Sequence, residues 1–465
     1  MVFQLLDDEE EWKKDKSSAL LISMMIASKL IFHVAAIRDF VNEHHEDLYQ
    51  DESVQKSNQR NTSARNPKDL VKFANVSNII TRHCEDSKRH LQSTFLKKPI
   101  IFSEVVEFAR ENRNLLKEIH DVHSDEYKLR NLEDREKPWN KFPKSSMEKD
   151  FEALGRKFDG EIVEFDDEFD NSELLFGIVL NRTEKRIICV FRGSKSGGKD
   201  WATNKKLLKE KLDNIKDAKT DLGLKEFGHV GLHYGWANYL FNDEWTHDGQ
   251  PSKFEQIVDI LREIRTKKDP NGNGYKDYGI FVTGHSLGGA LTQLLSFALA
   301  GSTITRDELP KPVIAITYGS PRVGNSIWLR EYQSLEKKGH LRHIRVSNDG
   351  DRVSAVPSLG YLQTGVNIHL YPNKKADISY DKRRSILSAV AMQCKYETDM
   401  HALNVYYERL IGNKGNRRIL KYTVEQFYRE YARTKNTVRA ILDECDDYGF
   451  TEDHTVGLYR DFLSS

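Results

Sequence analysis

The sequence predicts a three-layer α/β domain with helical extensions at both ends. Three observations predict it. Short, nearly continuous β-branched runs recur between residues 174 and 348. Segments of helical periodicity separate them, an alternation that implies a mostly parallel sheet covered on both faces. One run ends on a serine set among three glycines, in GHSLGG at 284–289.

The chain has 465 residues, enough for two or three domains and a sizeable core. Lys+Arg and Asp+Glu are equal at 71 each, which argues against a nucleic-acid partner and against a strongly electrostatic membrane anchor. Cys84, Cys189, Cys394 and Cys445 form no C-x-x-C pair and no zinc spacing, so neither a metal nor a cofactor is expected. Cys189, inside RIICVF, reads as a buried thiol, and a reduced, intracellular setting follows, cytoplasmic or peripheral to a membrane. The start, MVFQLLDDEEEWKKDK, is acidic before it is basic and leads no cleavable signal.

Residues 1–150 read as a helical N-terminal region. The most apolar window, 18–37, is interrupted by Lys29 and His33, so it predicts a helix packed on the following domain rather than a membrane span. Residues 50–68 lack core formers and predict a flexible loop. Val105, Phe108, Leu115 and Ile119 stand at helix spacings, with Ser103 as N-cap.

Residues 151–412 hold the α/β domain. Its strands are expected at 174–180, 186–191, 279–284, 313–319 and 343–348, and its helices include 254–268 and 286–300. Residues 413–465 return to charged helix, in which Val424, Phe427, Tyr428 and Tyr431 make one stripe that packs on the domain. The heptad does not persist, so a coiled coil is not expected.

Gly284-His285-Ser286-Leu287-Gly288 fits G-x-S-x-G, with a strand pattern before it and a helix pattern after it. Such a turn lifts the serine hydroxyl clear of the sheet. It also aims the first helical N–H groups, Leu287 among them, at a spot where an oxyanion can sit. A serine needs a base, and the base needs an orienting carboxylate, in the chain order Ser, Asp/Glu, His. Asp349 and Asp351 compete for the carboxylate, and Asn-Asp-Gly at 348–350 is also good turn chemistry.

With GHSLGGA in place, FRGSKSGGKDWATN (191–204), HYGW (233–236), TYGSPRVGN (317–325) and SNDGDRVSAVP (347–357) follow the expected order of blocks. Together they resemble the class 3, fungal-lipase-like branch of the α/β-hydrolases, over roughly 150–412. The resemblance implies the α/β-hydrolase fold and hydrolysis of a lipid carboxylic ester through an acyl-enzyme. It implies Ser286 as nucleophile, Asp351 as the carboxylate, and Ser194 completing the oxyanion hole with Leu287. It implies a base on a segment of form H-x-x-x-x-Y-x-x-x-L. His401, 50 residues beyond Asp351, fits this form and is the expectation; His454 fits it too, but would make the tail helix an insertion. His369 and His285 read as structural, as do Arg322, Asp200 and Trp201.

Gly193 to Lys199 spells G-x-x-x-x-G-K, but Asp200 stands where a P-loop needs a hydroxyl, so no nucleotide site is expected. The expected partner is a lipid ester substrate, of the acylglycerol or phospholipid kind, met at a membrane or lipid droplet surface. In the resembled family a mobile lid follows the R-G-S/T segment, and here 195–228 is rich in lysine. That composition favours charged interfaces over neutral oil. The contrasting expectation is an inactive hydrolase scaffold that binds lipid or protein.

Overall fold

A computed structural model describes residues 20–43, 100–101, 160–166, 176–193, 209–211, 231–241, 251–268, 272, 274–302, 305, 308–357, 361–380 and 398–433. The expected loop at 50–68 and the helix led by Ser103 lie outside the described residues. So do Ser194, Asp200, Trp201, His454 and, apart from 209–211, the segment 195–228.

The strands run β1 (Ile100–Ile101), β2 (Gly160–Asp166), β3 (Phe176–Asn181), β4 (Arg186–Phe191), β5 (Lys209–Lys211), β6 (Gly231–His233), β7 (Gly279–His285), β8 (Val313–Tyr318), β9 (Leu341–Asn348), β10 (Val366–Leu370) and β11 (Asp377–Tyr380). The helices are α1 (Leu20–Glu43), α2 (Tyr234–Phe241), α3 (Lys253–Thr266), α4 (Leu287–Gly301), α5 (Ser326–Lys337), α6 (Leu403–Gly412) and α7 (Arg417–Leu420), followed by α8 at 424–433.

Nine strands form one sheet in the order β1-β2-β3-β4-β7-β8-β9-β10-β11, while β5 and β6 pair separately. The five central strands, β4, β7, β8, β9 and β10, are parallel neighbours, and the flanking strands pair antiparallel. This is the α/β-hydrolase arrangement. The run at 174–180 was expected to be parallel from its unbroken apolar pattern. It forms β3, which is buried along its whole length yet pairs antiparallel with both β2 and β4. Burial on both faces dictates the pattern, and pairing direction leaves no mark on it.

Successive side chains of a strand alternate between faces, so each central strand feeds two cores. In β4, Ile188 and Val190 join a cluster with α1, α6, α7 and α8. Ile187, Cys189 and Phe191 join a second cluster with α2, α3, α4 and α5. Burial pushes the Cys189 thiol up to about 12, which leaves it an inert core side chain.

α1 is a packed helix of 24 residues, and no described helix is long and apolar enough to cross a membrane. Leu21, Met24, Met25, Leu30, Ile31 and Val34 are buried in the first core, each contributing about 1.5–3 kcal/mol before chain ordering is counted. The helix lies on β3 closely enough that a Cβ on Gly177 would stand 2.8 Å from Ile31 Cδ1. Tyr318 of β8 donates its hydroxyl to the Leu21 carbonyl, and the Ser28 and Thr283 hydroxyls are 3.4 Å apart.

Capping fixes the helices of the second layer. Ser252 accepts from Glu255 N–H at the start of α3 while the Glu255 carboxylate accepts from Ser252 N–H, a reciprocal capping box. Asn325 caps α5 by accepting from Trp328 N–H. At the other end of the chain, Val424 and Phe427 of the tail stripe enter the first core. Tyr428 accepts from His343 N–H at 2.7 Å and donates to Glu336 at 2.5 Å, which ties α8 to β9 and α5.

Candidate active site

β7 ends at His285, and the chain reverses through one residue into α4. Ser286 occupies that turn with φ 59° and ψ −125°, on the side of conformational space that side chains avoid. Its N–H donates to Tyr318 O at 3.0 Å, and its carbonyl accepts from Gly289 N–H at 2.9 Å and Ala290 N–H at 3.3 Å. The strained residue is thereby held from both sides. The glycines are demanded by backbone crowding: a Cβ on Gly284 would meet the Gly288 carbonyl at 2.4 Å, and one on Gly288 would meet Phe191 O at 2.4 Å. Leu287 opens α4, so its N–H is one of the helix-terminal donors that lack an intrahelical acceptor.

Asp351 follows β9 at the carboxyl edge of the sheet and is buried. Its Oδ1 accepts from Val353 N–H at 2.9 Å. Its Oδ2 accepts from His401 Nδ1–H at 3.0 Å and from the Tyr406 hydroxyl. A carboxylate accepting on Nδ1 fixes the imidazole with Nε2 available as a base. His401 Nε2 is buried and has no hydrogen-bond partner among the described residues. Gly319, at φ 56°, lies beneath the pair: a Cβ there would be 3.0 Å from both Asp351 Oδ2 and His401 Cε1. Gly319 directly follows Tyr318, whose carbonyl holds Ser286 N–H, so the serine turn lies at the same sheet edge as the Asp351–His401 pair, and the free His401 Nε2 makes no hydrogen bond to the Ser286 hydroxyl in this structure.

Tyr406 lies one turn into α6. Its hydroxyl accepts from Asn348 N–H at 3.2 Å while it donates to Asp351. Burial, reinforced by the Asp351 charge, holds the phenol well above its ordinary value, so it remains a donor. Asn348 Nδ2 also donates to Met400 O at 3.1 Å, and Arg409 donates to Asp349 O at 2.7 Å, so the loops bearing Asp351 and His401 are laced together.

His285, beside the serine, packs and orients. Its Nε2–H donates to the His401 carbonyl at 2.7 Å, and its ring stacks on the His401 ring at 4.6 Å and 29°. Burial, with the neighbouring His401 and Lys29 charges acting the same way, lowers its pKa to about 3, so it is a neutral donor near neutrality.

The remaining candidates separate cleanly. Asp349 sits in the turn after β9, with its N–H on Leu370 O at 2.8 Å. His369 lies within β10, with Nδ1 against Ser347 Oγ at 2.8 Å and Nε2 3.5 Å from Asp349. Both are built into the scaffold. No three described His, Cys, Asp or Glu side chains are grouped as a metal would require. Sequence reasoning missed the donation from Tyr406 to Asp351, although the tyrosine stands in the very segment that selected His401. It also missed Phe32 of α1, whose ring reaches the site from the far end of the chain and lies 6.4 Å from that of His285. Nothing local to residue 32 signals that contact.

Residues 188–361 match the sequence family described as lipase (class 3). Among curated proteins, phospholipase A1-II 4 of Oryza sativa subsp. japonica is 29% identical over 217 residues, 46% of this chain and 48% of the relative. Phospholipase A1-IIgamma of Arabidopsis thaliana is 26% identical over 235 residues, 48% of this chain and 50% of the relative. Chloroplastic phospholipase A1-Igamma1 of the same plant is 39% identical over 111 residues, 23% of this chain and 21% of the relative. The chain thus spans about half or less of the length of these relatives. Among solved structures, the Rhizomucor miehei triacylglyceride lipase aligns with a TM-score of 0.39 at 18% identity, covering 57% of this chain and 86% of that one.

Proposed function

Since residues 188–361 carry class 3 lipase sequence on an α/β-hydrolase sheet, we propose that the protein hydrolyses the carboxylic ester of a lipid through an acyl-enzyme on Ser286. The observation that supports this most is the 3.0 Å contact from His401 Nδ1 to Asp351 Oδ2 at the same sheet edge as the strained Ser286.

His401 Nε2 takes the hydroxyl proton of Ser286 as Oγ attacks the ester carbonyl carbon, and Asp351 stabilises the imidazolium that forms. The carbonyl oxygen becomes an oxyanion, held by Leu287 N–H and by Ser194. The tetrahedral adduct expels the alcohol, which takes the proton from His401 Nε2. Water then gives a proton to His401 and its oxygen to the acyl carbon. As this second adduct collapses, the bond from Ser286 Oγ to the acyl carbon breaks and Oγ takes that proton back from His401 Nε2, which releases the fatty acid and restores Ser286. The phospholipase A1 names of the curated relatives favour a glycerophospholipid over neutral oil, as does the lysine-rich 195–228. A membrane or lipid droplet surface is where such a substrate is met.

A fluorophosphonate probe should label the protein and fail to label Ser286→Ala. Ester hydrolysis in that variant should fall by about 10⁴ or more. Absence of label on the wild-type chain would instead favour an inactive scaffold. For the base, His401→Ala should abolish turnover to a similar degree while His454→Ala retains it; the reverse outcome would move the role to His454.

A further inference from the structure

Gln363, in the segment that leads into β10, is buried, and its side chain bridges two loops of the candidate site. Its Nε2 donates to Ser320 O at 3.2 Å and to Ser354 O at 2.7 Å. Ser320 follows Gly319, the residue beneath the Asp351–His401 pair, and it stands against α4: a Cβ on Gly289 would lie 2.7 Å from Ser320 Cβ. Ser354 belongs to the turn that carries Asp351. Its hydroxyl donates to Asp351 O at 2.9 Å, and Val353 N–H beside it donates to Asp351 Oδ1. Ser320 is anchored from a second side as well. Gln293 of α4, also buried, donates from Nε2 to Ser320 Oγ at 2.6 Å and to Pro321 O at 3.1 Å, while its Oε1 accepts from the Thr364 hydroxyl at 2.8 Å. With Ser320 fixed to α4 in this way, the Gln363 bridge ties the Asp351 turn to the helix that begins beside Ser286.

Packing alone would not select an amide here. Gln363 Oε1 is buried with no hydrogen-bond partner among the described residues, which costs about 1–3 kcal/mol. An apolar side chain of the same length would fill the space without that penalty. Exchanging Oε1 and Nε2 would set an acceptor against two carbonyl oxygens, so the surroundings fix the orientation of the amide. What the amide supplies, and no apolar side chain can, is the pair of donors.

We propose that Gln363 is a positioning residue for the ester hydrolysis: its two donors set where the Asp351 turn stands relative to the Ser286 turn, and so where Asp351 holds the His401 imidazole. The role deepens the ester-hydrolase reading and rests on it.

The test uses a soluble short-chain p-nitrophenyl ester, so that no lipid surface enters, at a temperature where circular dichroism shows each variant folded. Gln363→Met keeps the length of the side chain and deletes both donors. It should lower kcat about tenfold with KM changed by about twofold or less, and slow fluorophosphonate labelling to a similar degree. In an Asp351→Asn background the same substitution should change the residual kcat by only about twofold or less, because a residue that acts through the carboxylate then has nothing left to place. Gln363→Asn keeps the amide but is too short to span both carbonyls. It should lose kcat as Gln363→Met does, and it stands in for that variant if the methionine protein does not fold. A wild-type kcat in these variants, or a loss of equal size with and without the Asp351 carboxylate, overturns the positioning role and leaves the esterase standing. A wild-type chain that takes no label and hydrolyses no ester overturns the esterase reading, and the positioning role falls with it.

Discussion

Asp351 Oδ2 carries two donors, His401 Nδ1–H and the Tyr406 hydroxyl, and the second has no part in proton transfer. Its effect is geometric: it pins the carboxylate so that the imidazole it orients has one place to stand. Tyr406→Phe keeps the ring that α6 buries and deletes that donor. The expected result in steady-state kinetics is a fall in kcat of roughly tenfold with KM changed little, since the orientation of the base matters most at the transition state. An unchanged kcat would reduce the tyrosine to packing. His285 contributes from the opposite side, holding the His401 carbonyl while Asp351 holds its side chain, so the residue before the proposed nucleophile helps place the proposed base. The motif GHSLGG, read as sequence, says that a serine is raised; it says nothing about what its histidine grips. That partner lies 116 residues away and exists only once the loops have closed.

Among the elements, α1 is the one whose sequence looked most like something else. An apolar window broken by Lys29 and His33 reads as a packed helix, and the structure buries it against β3, β4, β7 and β8, with α6 and α7 covering it. Leu30 is fully buried on this helix, so Leu30→Ala should cost about 2–5 kcal/mol in urea denaturation followed by circular dichroism. A loss well under 1 kcal/mol would mean that α1 is peripheral to the core. The strands were legible where β-branched runs met turn residues: 186–191 appears with the expected bounds, and the others shift by one or two residues. β2, β10 and β11 were not among the expected strands. GEIVEFD alternates weakly, and the edge hairpin VNIHL–DISY carries polar residues that a covered strand would lack.

At the scale of the whole molecule, two buried histidines tie stability to pH. His285 and His343 both have pKa values lowered to about 3. Burial is the main cause in each; the His401 and Lys29 charges add to it for the first, and Arg345 for the second. An unfolded histidine titrates near 6.5, so between about pH 6.5 and 3 the unfolded chain binds more protons than the folded one. The contribution to stability is complete above the unfolded value and is lost progressively as the pH falls. The urea midpoint should therefore drop on acidification from about pH 7.5 to 5. His343→Gln, which can keep a polar contact to Thr317, should flatten the dependence by up to one proton. A midpoint independent of pH in the wild type would contradict neutral burial.

The sequence by itself determined the alternation of strands and helices and the raised serine. These are local consequences of side-chain period, backbone crowding at Gly284 and Gly288, and turn chemistry. The tertiary structure alone decided that Tyr406 and His285 brace the Asp351–His401 pair, and that Phe32 borders the serine. Each of those contacts joins segments separated by 50 or more residues, and their distances are set by how the helical layers close over the sheet, which no local pattern encodes.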